Sequence, residues 1–375
     1  MQCMKRVTIQ LAIAVSFAAV FSCKKSNDGP SPSDNVLAYD INEIPVTTDY
    51  TVGAFYNGNS TFSTLVTETP VVGKYNMPNG VVPANVMTQH IAYAAKGGLD
   101  YFVFSFRSAS RDLNNYKFDS AVVKSFLDAN ATANMKFALA YNWNAGTYGV
   151  TQTGAQLDAD ATKLEQFYQD ILRVVPLFNN SNCMKVNGKV LLYIKQAQDI
   201  DANNNAAIFT TLRSRLSAAG VQLYIVGMQN AWTPPARYSF RFQNCVDAIY
   251  HQSLSGQGLN DWDRFYLLPQ AMDQNWEYSR KYFKDTYSVD YVPNISPAYN
   301  ATINNPSYNG PVYARADSGK LYKQLCNVAK MNANETTRLI LIDSFNDWLG
   351  GSQLEPANSY GELYLNITRS EFKKQ

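Results

Sequence analysis

The stretch YFVFSF, residues 101–106, is a run of aromatic and aliphatic residues with little alternation between polar and apolar positions. Such a run is typical of a strand that is buried on both faces. A segment with helical spacing, residues 120–129, follows it, and this order of strand and helix recurs along the chain. The predicted strands, each with the segment that follows it, are 51–57 with helix 85–96, 101–106 with 120–129, 136–143 with 158–175, 189–195 with 206–219, 223–229 with a short irregular segment, 247–253 with 264–287, 290–295 with 320–331, and 338–348 with 360–372.

About eight consecutive units with near-continuous apolar strands predict an α/β fold of the (β/α)8 TIM barrel type, formed by residues 36–375 as one domain. The alternative is an open, doubly wound sheet. That fold normally has a glycine-rich phosphate turn after its first strand, but the corresponding stretch, AFYNGNSTF at 54–62, does not read GxGxxG. The barrel is therefore favoured.

The first residues have the pattern of a secretion signal. Lys5 and Arg6 precede an apolar run, residues 7–22, that is short for a membrane span. This run ends on small and apolar residues directly before Cys23, which resembles a bacterial lipobox, where the cysteine becomes the lipidated N-terminus. An ordinary signal peptide that happens to contain a cysteine is the alternative.

The polar stretch KKSNDGPSPSDN, residues 24–35, cannot bury a core and predicts a flexible tether. We therefore expect a lipoprotein signal peptide at 1–22 and a lipidated cysteine with its tether at 23–35. The expected location is the bacterial cell envelope, where a lipid-anchored protein faces the periplasm or the outer-membrane surface. Membrane contact is expected through the lipid anchor alone.

Charge and residue counts exclude several classes of protein. Removal of residues 1–22 takes away two basic residues and lowers the formal net charge from +2 to 0, which leaves no basic surface for nucleic acid. With only His90 and His251 and no CxxC spacing, there is little material for a zinc site or a histidine-dependent nucleophile. We expect no metal and no cofactor. Three buried thiols are favoured over one disulfide and a spare thiol for Cys183, Cys245 and Cys326.

Polar and aromatic residues are predicted to meet at one end of the barrel, because ligands of this fold bind at the C-terminal ends of the strands. The chain contains 25 Tyr, 19 Phe and 5 Trp, and aromatic faces beside amides suit a sugar, although most aromatic residues fill cores. Each strand-end residue alone is also compatible with a cap or loop role. We predict a glycan groove that binds its substrate through Tyr56, Asn57, Arg107, Tyr141, Asn142, Trp143, Gln229, His251, Asn346 and Trp348.

The stretch SFNDWLGGSQLEP, residues 344–356, reads as the end of a buried strand, a polar turn and a helix start at Glu355 and Pro356. It contains the carboxylate of Asp347 but no second acid at positions 349–351. Together with the segments KFALAYNWN, VNGKVLLYIK, AAGVQLYIVG and VDAIYHQS in this order, it resembles the WbsX-like and glycoside hydrolase family 99 group of (β/α)-barrel proteins. The last strand of that group reads roughly N-E-W-x-E-G-x-x-L-E-P.

The resemblance covers most of the chain after the signal. It implies an enzyme that cleaves internal α-mannosidic linkages with retention, or a related polysaccharide-processing protein. In the hydrolase branch the first motif glutamate acts as a base on the neighbouring sugar hydroxyl, and the second, three residues later, is the general acid. These positions are Asp347 and Gly350 in this sequence, so the position of the general acid has no side chain.

A general acid contributes roughly 10²–10⁴-fold to the rate. We therefore expect a monomeric glycoside hydrolase with a rearranged acid, in which Asp347 is the catalytic residue and a polysaccharide is the partner. The alternatives are a non-catalytic glycan-binding barrel and a purely structural surface protein.

Other carboxylates have weaker claims to the missing role. Asp343 shares a strand face with Asp347 but lies deeper, where a core role is favoured. Glu355 suits the predicted helix start. Solvated or capping roles are favoured for the acids after the sixth strand, Asp261, Asp263, Asp273 and Glu277. The run that begins at Asp199 imitates a calcium loop, but Asn204 and Thr210 stand at its glycine and final acid positions.

Overall fold

The computed structural model describes residues 39–58, 62, 66–150, 156–230, 239–252, 267–303, 305–307, 312, 313, 315 and 317–375. Residues 40–375 form one compact unit. The predicted signal peptide, Cys23 and the tether lie outside the described residues. None of the helices within the described ranges is both long enough and apolar enough to cross a membrane.

The described residues form a ten-stranded sheet with the order β8-β7-β6-β5-β3-β2-β1-β10-β9, and the short β4 pairs antiparallel with β5. All neighbours along this path are parallel. The strands are β1 Thr51–Tyr56, β2 Tyr101–Phe106, β3 Lys136–Asn142, β4 Lys185–Val186, β5 Lys189–Lys195, β6 Leu223–Gln229, β7 Ala248–His251, β8 Asp290–Tyr291, β9 Asn294–Ile295 and β10 Leu339–Ile342.

The sheet closes on itself through one interrupted strand. β8 pairs with β7, and β9, which follows β8 after a two-residue gap, pairs with β10. Pro293 lies in the gap and has no N–H to donate, which explains the break. Counting β8 and β9 as one position gives eight parallel strand positions in a ring. The predicted TIM barrel is confirmed, and the doubly wound alternative is excluded.

Helices follow the strands along the chain. They are α1 Ala84–Lys96, α2 Leu113–Ala129, α3 Ala145–Tyr148, α4 Ala161–Leu172, α5 Val175–Phe178, α6 Asn205–Ala218, α7 Leu268–Tyr287, α8 Lys320–Asn332 and α9 Leu363–Phe372. Short 3-10 turns occur at Pro78–Gly80, Leu157–Ala159, Ala197–Asp199, Ser239–Phe242, Ala301–Ile303 and Asp317–Gly319.

The end of the last strand differs from the sequence prediction. The strand ends at Ile342 rather than Trp348, and no helix begins at Glu355, since α9 begins at Leu363. The backbone N–H groups of Leu354 and Glu355 both donate to the carbonyl of Phe345, at 2.9 and 2.7 Å. Residues 343–362 therefore form an irregular, hydrogen-bonded loop that folds back on the strand end.

Strand alternation divides the core into two layers, one inside the ring and one beneath the helices. The inner layer contains the rings of Tyr101, Tyr193 and Tyr250 beside Phe55. Gly53 also faces inward, and a Cβ at this position would overlap the ring of Tyr101, so this large ring fits only because Gly53 lacks a side chain. The ring interior is thus a packed aromatic core, and it supports the C-terminal ends of the strands.

The thiols of Cys183, Cys245 and Cys326 are buried and free. Burial raises the pKa of the Cys183 and Cys245 thiols to about 12. These thiols therefore remain protonated and act as small apolar core groups.

Candidate active site at the barrel mouth

A cavity of about 230 Å³ opens at the C-terminal ends of β1, β2, β3, β5 and β10. We call it the barrel-mouth cavity, and it is lined by Phe55, Tyr56, Asn57, Gly58, Phe104, Ser105, Arg107, Asp119, Val122, Asn142, Lys195, Asp343, Ser344 and Asp347. A larger cavity, about 680 Å³, lies at the other ends of β1 and β3, beside Thr51 and Lys136. Because barrel enzymes bind ligands at the C-terminal ends of the strands, the barrel-mouth cavity is the candidate site.

Asp347 lies on the loop after β10, and its carboxylate turns back towards that loop. Oδ1 accepts hydrogen bonds from the backbone N–H of Gly350, at 3.1 Å, and from Nδ2 of Asn57, at 3.2 Å. Oδ2 lies 3.5 Å from the hydroxyl of Ser352. Burial raises the pKa of Asp347, and these hydrogen bonds offset the rise only in part. The site thus holds a fixed carboxylate with increased basicity.

The carboxylate of Asp347 occupies the space that a side chain at position 350 would need. A Cβ built on Gly350 would overlap Oδ2 of Asp347. The backbone of Gly350 is not left-handed, unlike that of Gly351, whose φ is +63°. A side chain at position 350 would therefore force the Asp347 carboxylate to turn, whereas the backbone conformation there accepts any residue.

Two cations face the same cavity in different ways. Arg107 donates to Asp119 through Nε and Nη2, at 2.9 and 2.6 Å, so this pair is bidentate and largely satisfied. Lys195 is the last residue of β5, next to Asn142 in the register of β3 and β5. Its Nζ lies 4.3 Å from the centroid of the Phe55 ring. The cavity therefore combines three carboxylates, one bound guanidinium and one ammonium.

A second carboxylate of the C-terminal loop, Glu355, is fully buried and is not on the cavity lining. It accepts hydrogen bonds from Tyr75 Oη at 2.8 Å, His90 Nε2 at 2.9 Å and Trp348 Nε1 at 2.8 Å. The other nitrogen of His90 contacts the Tyr56 hydroxyl at 2.9 Å. This arrangement suits the tautomer in which Tyr56 donates to Nδ1 and Nε2–H donates to Glu355. We call these five residues the Glu355 network.

Five predicted site residues border the cavity. Asn57, Arg107, Asn142 and Asp347 lie on its lining, and so does Tyr56. The Tyr56 ring, however, is 3% exposed and packs against Phe102 and Phe104, with its hydroxyl in the Glu355 network.

The other predicted binding residues are buried away from the mouth. Tyr141 donates to Asp170 beneath the helices, and Trp143 stacks on Tyr148 and donates to the carbonyl of Asp199. Strand alternation explains this placement: Asn142 faces the ring interior, so its neighbours on both sides face outward. Consecutive residues at a strand end therefore lie in different layers: Asn142 faces the cavity, whereas Tyr141 and Trp143 lie beneath the helices.

Trp348, Asn346, His251 and Gln229 are likewise no more than 2% exposed. The Asn346 amide binds the backbone N–H and C=O of Asn57, at 2.6 and 3.1 Å, and so joins the ends of β10 and β1. His251 Nδ1 lies 2.8 Å from the Tyr291 hydroxyl, and burial lowers the histidine pKa to about 3. None of these four side chains is on the cavity lining.

Of the alternative acids after the sixth strand, the two that the structure describes have structural roles. Asp273 accepts from Asn332 Nδ2 at 2.9 Å, and Glu277 pairs with Lys281 on the surface of α7. Asp261 and Asp263 lie outside the described residues. No group of three or more His, Cys, Asp or Glu side chains in the described part of the chain is placed to hold a metal ion.

Lys195, Asp119 and Asp343 are absent from the predicted set of binding residues, yet all three line the cavity. The core role favoured for Asp343 is therefore wrong, since its position faces the cavity at the end of β10. A signal for Lys195 exists, because a lysine that closes the apolar strand KVLLYIK shares the face of Tyr193, two residues earlier. Asp119 is contributed by α2, and strand patterns give no information about a helix that reaches over the mouth.

The fold and this acidic cavity define a (β/α)8 barrel of the glycoside hydrolase type. The sequence of residues 80–368 matches the family described as "Glycosyltransferase WbsX", and the chain belongs to this family. The predicted resemblance is thereby confirmed. No curated protein matches the sequence.

The fold is shared with many solved structures, of which three are described in order of decreasing identity. A "Glycoside hydrolase-like protein" shares 31% identity over 91% of this chain and 99% of its own, with a TM-score of 0.79. The GH99 endo-alpha-mannosidase of Bacteroides thetaiotaomicron has 18% identity and a TM-score of 0.62, over 87% and 97% of the two chains. The rutinosidase of Aspergillus niger has 12% identity and a TM-score of 0.50, over 88% and 100%. The last two likenesses establish the fold alone.

Proposed function

We propose that the chain is a glycoside hydrolase that holds a sugar residue of an α-mannan-type or related polysaccharide in the barrel-mouth cavity. The observation that carries this proposal is the carboxylate of Asp347, which lies half-buried on the loop after β10 and is held by Gly350 and Asn57. Ligand pockets usually measure about 300–1,000 Å³. At about 230 Å³ the cavity suits a single sugar residue, with the rest of the polymer outside.

Asp347 is proposed to act as the base. Its raised pKa makes the ionised carboxylate a better proton acceptor, and its hydrogen bonds fix the direction from which it approaches the sugar. Cleavage of internal linkages with retention is proposed from the likeness to the endo-alpha-mannosidase. In that chemistry Asp347 removes a proton from the sugar hydroxyl that attacks the anomeric carbon, and the glycosidic oxygen departs.

A non-catalytic glycan-binding barrel is the second candidate. It is favoured by Gly350, which provides no side chain where the resembled hydrolases have their general acid. Under this alternative the cavity would bind a sugar residue through Asn57, Asn142 and Lys195 without cleaving the chain.

One experiment distinguishes the hydrolase from the non-catalytic binding barrel. The protein is incubated with a panel of polysaccharides that includes α-mannans, binding is measured by calorimetry, and the products are analysed by chromatography. Release of oligosaccharides from a glycan that also binds would support the hydrolase, and binding without release would support the binding barrel. If no glycan binds and none is cleaved, both candidates are wrong.

We also propose that the protein is anchored in the bacterial cell envelope through a lipid on Cys23, on the basis of the basic start and the apolar run before this cysteine. Replacement of Cys23 by Ser should release the protein from the membrane fraction or block its processing. A Cys23→Ser protein that remains membrane-bound after a high-salt wash would contradict the lipid anchor.

A further inference from the structure

Lys195 is a half-buried cation whose ammonium faces the barrel-mouth cavity. Tyr193, two residues earlier on β5, faces the ring interior and contacts Phe55 and Tyr250 through its ring. Strand alternation puts Lys195 on the same face, one layer higher, and its Nζ lies over the Phe55 ring at the cavity floor. The aliphatic stem is thus held in the aromatic core while the ammonium reaches the site.

The other charged groups of the cavity are engaged with protein partners. Arg107 and Asp119 satisfy each other in a bidentate pair, and Asp347 is bound by Gly350 and Asn57. Asp343 has interactions of its own. Among the described residues, Lys195 Nζ has neither a hydrogen-bond acceptor nor an ion-pair partner within 4 Å, and its contact is the face of a ring. Its three N–H donors are therefore available to a ligand.

Given the proposed hydrolase function, we propose that Lys195 is the residue that donates a proton to the departing glycosidic oxygen. Gly350 has no side chain for this role, and the carboxylate of Asp347 already fills the space beside it. The Lys195 ammonium faces the cavity with unused donors and can therefore supply this proton. The general acid would then come from β5 rather than from the loop after β10.

The proposed step is balanced in atoms and charge. The C–O bond to the leaving oxygen breaks, its electron pair stays on that oxygen, and the oxygen takes a proton from Lys195 Nζ. The attacking hydroxyl forms the new bond to the anomeric carbon and gives its proton to Asp347. Neutral Lys195 and protonated Asp347 return to their starting states when protons exchange with solvent.

The charged surroundings of Lys195 fit this role. Its ammonium is faced by Asp343 and Asp347 from the loop after β10 and by Asp119 from α2, and Arg107 lines the same cavity. Burial lowers the pKa of Lys195, and the three carboxylates offset this effect only in part. A lowered pKa makes the ammonium a better acid near neutral pH.

The test is a series of aryl glycosides whose leaving groups differ in basicity. Lys195→Met removes the proton and keeps a side chain of similar shape, and Lys195→Arg keeps the positive charge on a group that does not give up its proton. Lys189→Met, at the exposed start of the same strand, is the matched control. Thermal unfolding of each variant verifies that it is folded.

We expect Lys195→Met to reduce turnover of glycosides with basic leaving groups by about 10²–10⁴-fold and to leave activated glycosides within about tenfold. Lys195→Arg should share this selective loss, and both variants should lose the alkaline limb of the pH–rate profile. The Lys189→Met variant should behave as the wild type.

An equal loss across the series would overturn the proposal, because it would indicate a role in binding only. Full activity of Lys195→Met, or restored cleavage of basic leaving groups by Lys195→Arg, would overturn it as well. If the wild-type protein does not turn over even activated glycosides, the proposed hydrolase function fails, and the proton donor fails with it.

Discussion

The C-terminal loop places two carboxylates eight residues apart in opposite surroundings. In the Glu355 network, three donors from Tyr75, His90 and Trp348 bind one carboxylate that is 0% exposed. In the barrel-mouth cavity, Asp347 is bound by weaker contacts of 3.1–3.5 Å and faces a space beside Lys195. The same chemical group is thus fully used by the protein at one position and left partly available at the other.

This difference assigns a structural role to Glu355 and a reactive role to Asp347. A buried carboxylate with all its hydrogen bonds made inside the protein fixes the loop and has no capacity for a ligand. A desolvated carboxylate with incomplete pairing costs stability but retains reactivity, which is typical of catalytic sites. The comparison predicts that changes in the Glu355 network alter stability first, whereas changes in the cavity alter turnover first.

The largest effect on stability is expected from Glu355→Ala. Its loss leaves the hydrogen-bond donors of Tyr75, His90 and Trp348 buried without an acceptor, and breaking a buried charged network typically costs about 3–5 kcal/mol. Denaturant unfolding would measure the loss. Glu362→Ala, which removes a partly exposed partner of Lys96, is the matched control and should change stability by less than about 1 kcal/mol. Equal effects of the two substitutions would contradict the comparison.

A smaller loss is expected from Gly350→Ala. The added methyl group overlaps Asp347 Oδ2, so the carboxylate must turn away from Gly350 N–H and Asn57. Turning the free end of this side chain off its present rotamer typically costs about 0.5–1.5 kcal/mol, and turnover should fall because Asp347 loses its orientation. The unfolding free energy and kcat/KM of the variant test both parts. A variant with unchanged values would show that the space at position 350 is open.

The smallest effect, and one of opposite sign, is expected from Asp347→Asn. The pKa of Asp347 is raised above its usual value of 3.8, so the folded protein binds this proton more tightly than the unfolded chain does. The stability that this carboxyl contributes is therefore complete below its usual pKa and is lost as the pH rises through the raised pKa.

The amide of the Asp347→Asn variant does not titrate, so this variant should have a higher Tm than the wild type at neutral pH. The advantage should shrink as the pH is lowered towards about 3.8. Unfolding temperatures at several pH values test the sign. A Tm advantage that grows on acidification would contradict the assigned shift.

The barrel was predictable because its strands are continuous apolar runs. The structural bounds of 101–106, 189–195 and 223–229 match the predicted ones. The irregular loop after Ile342 was not predictable in the same way, because backbone hydrogen bonds between distant residues decide it. The interruption at Pro293 was not predicted either, although a proline within a strand is a sequence signal for a break in pairing.

The site was predictable only in part. The prediction took all residues at a strand end as facing the same groove, whereas consecutive residues of a strand face opposite sides of the sheet. Asn142 reaches the cavity, whereas Tyr141 and Trp143 lie under the helices. Aromatic character did not identify a sugar-facing surface, because large rings such as that of Trp348, which packs with Val66 and Ala357, are buried. The pairing of Arg107 with Asp119 joins the end of β2 to α2, and sequence spacing gives no measure of that contact.

The most direct measurement is the turnover of an activated aryl α-mannoside by the wild type, Asp347→Asn and Glu355→Gln, each below its unfolding temperature. We expect Asp347→Asn to lower kcat/KM by about 10²–10⁴-fold, while the variant keeps its fold and stability. Glu355→Gln should lower Tm but keep turnover within about tenfold of the wild type, because its carboxylate is enclosed by Tyr75, His90 and Trp348. Undiminished turnover by Asp347→Asn would contradict the claim that the barrel-mouth carboxylate carries the chemistry.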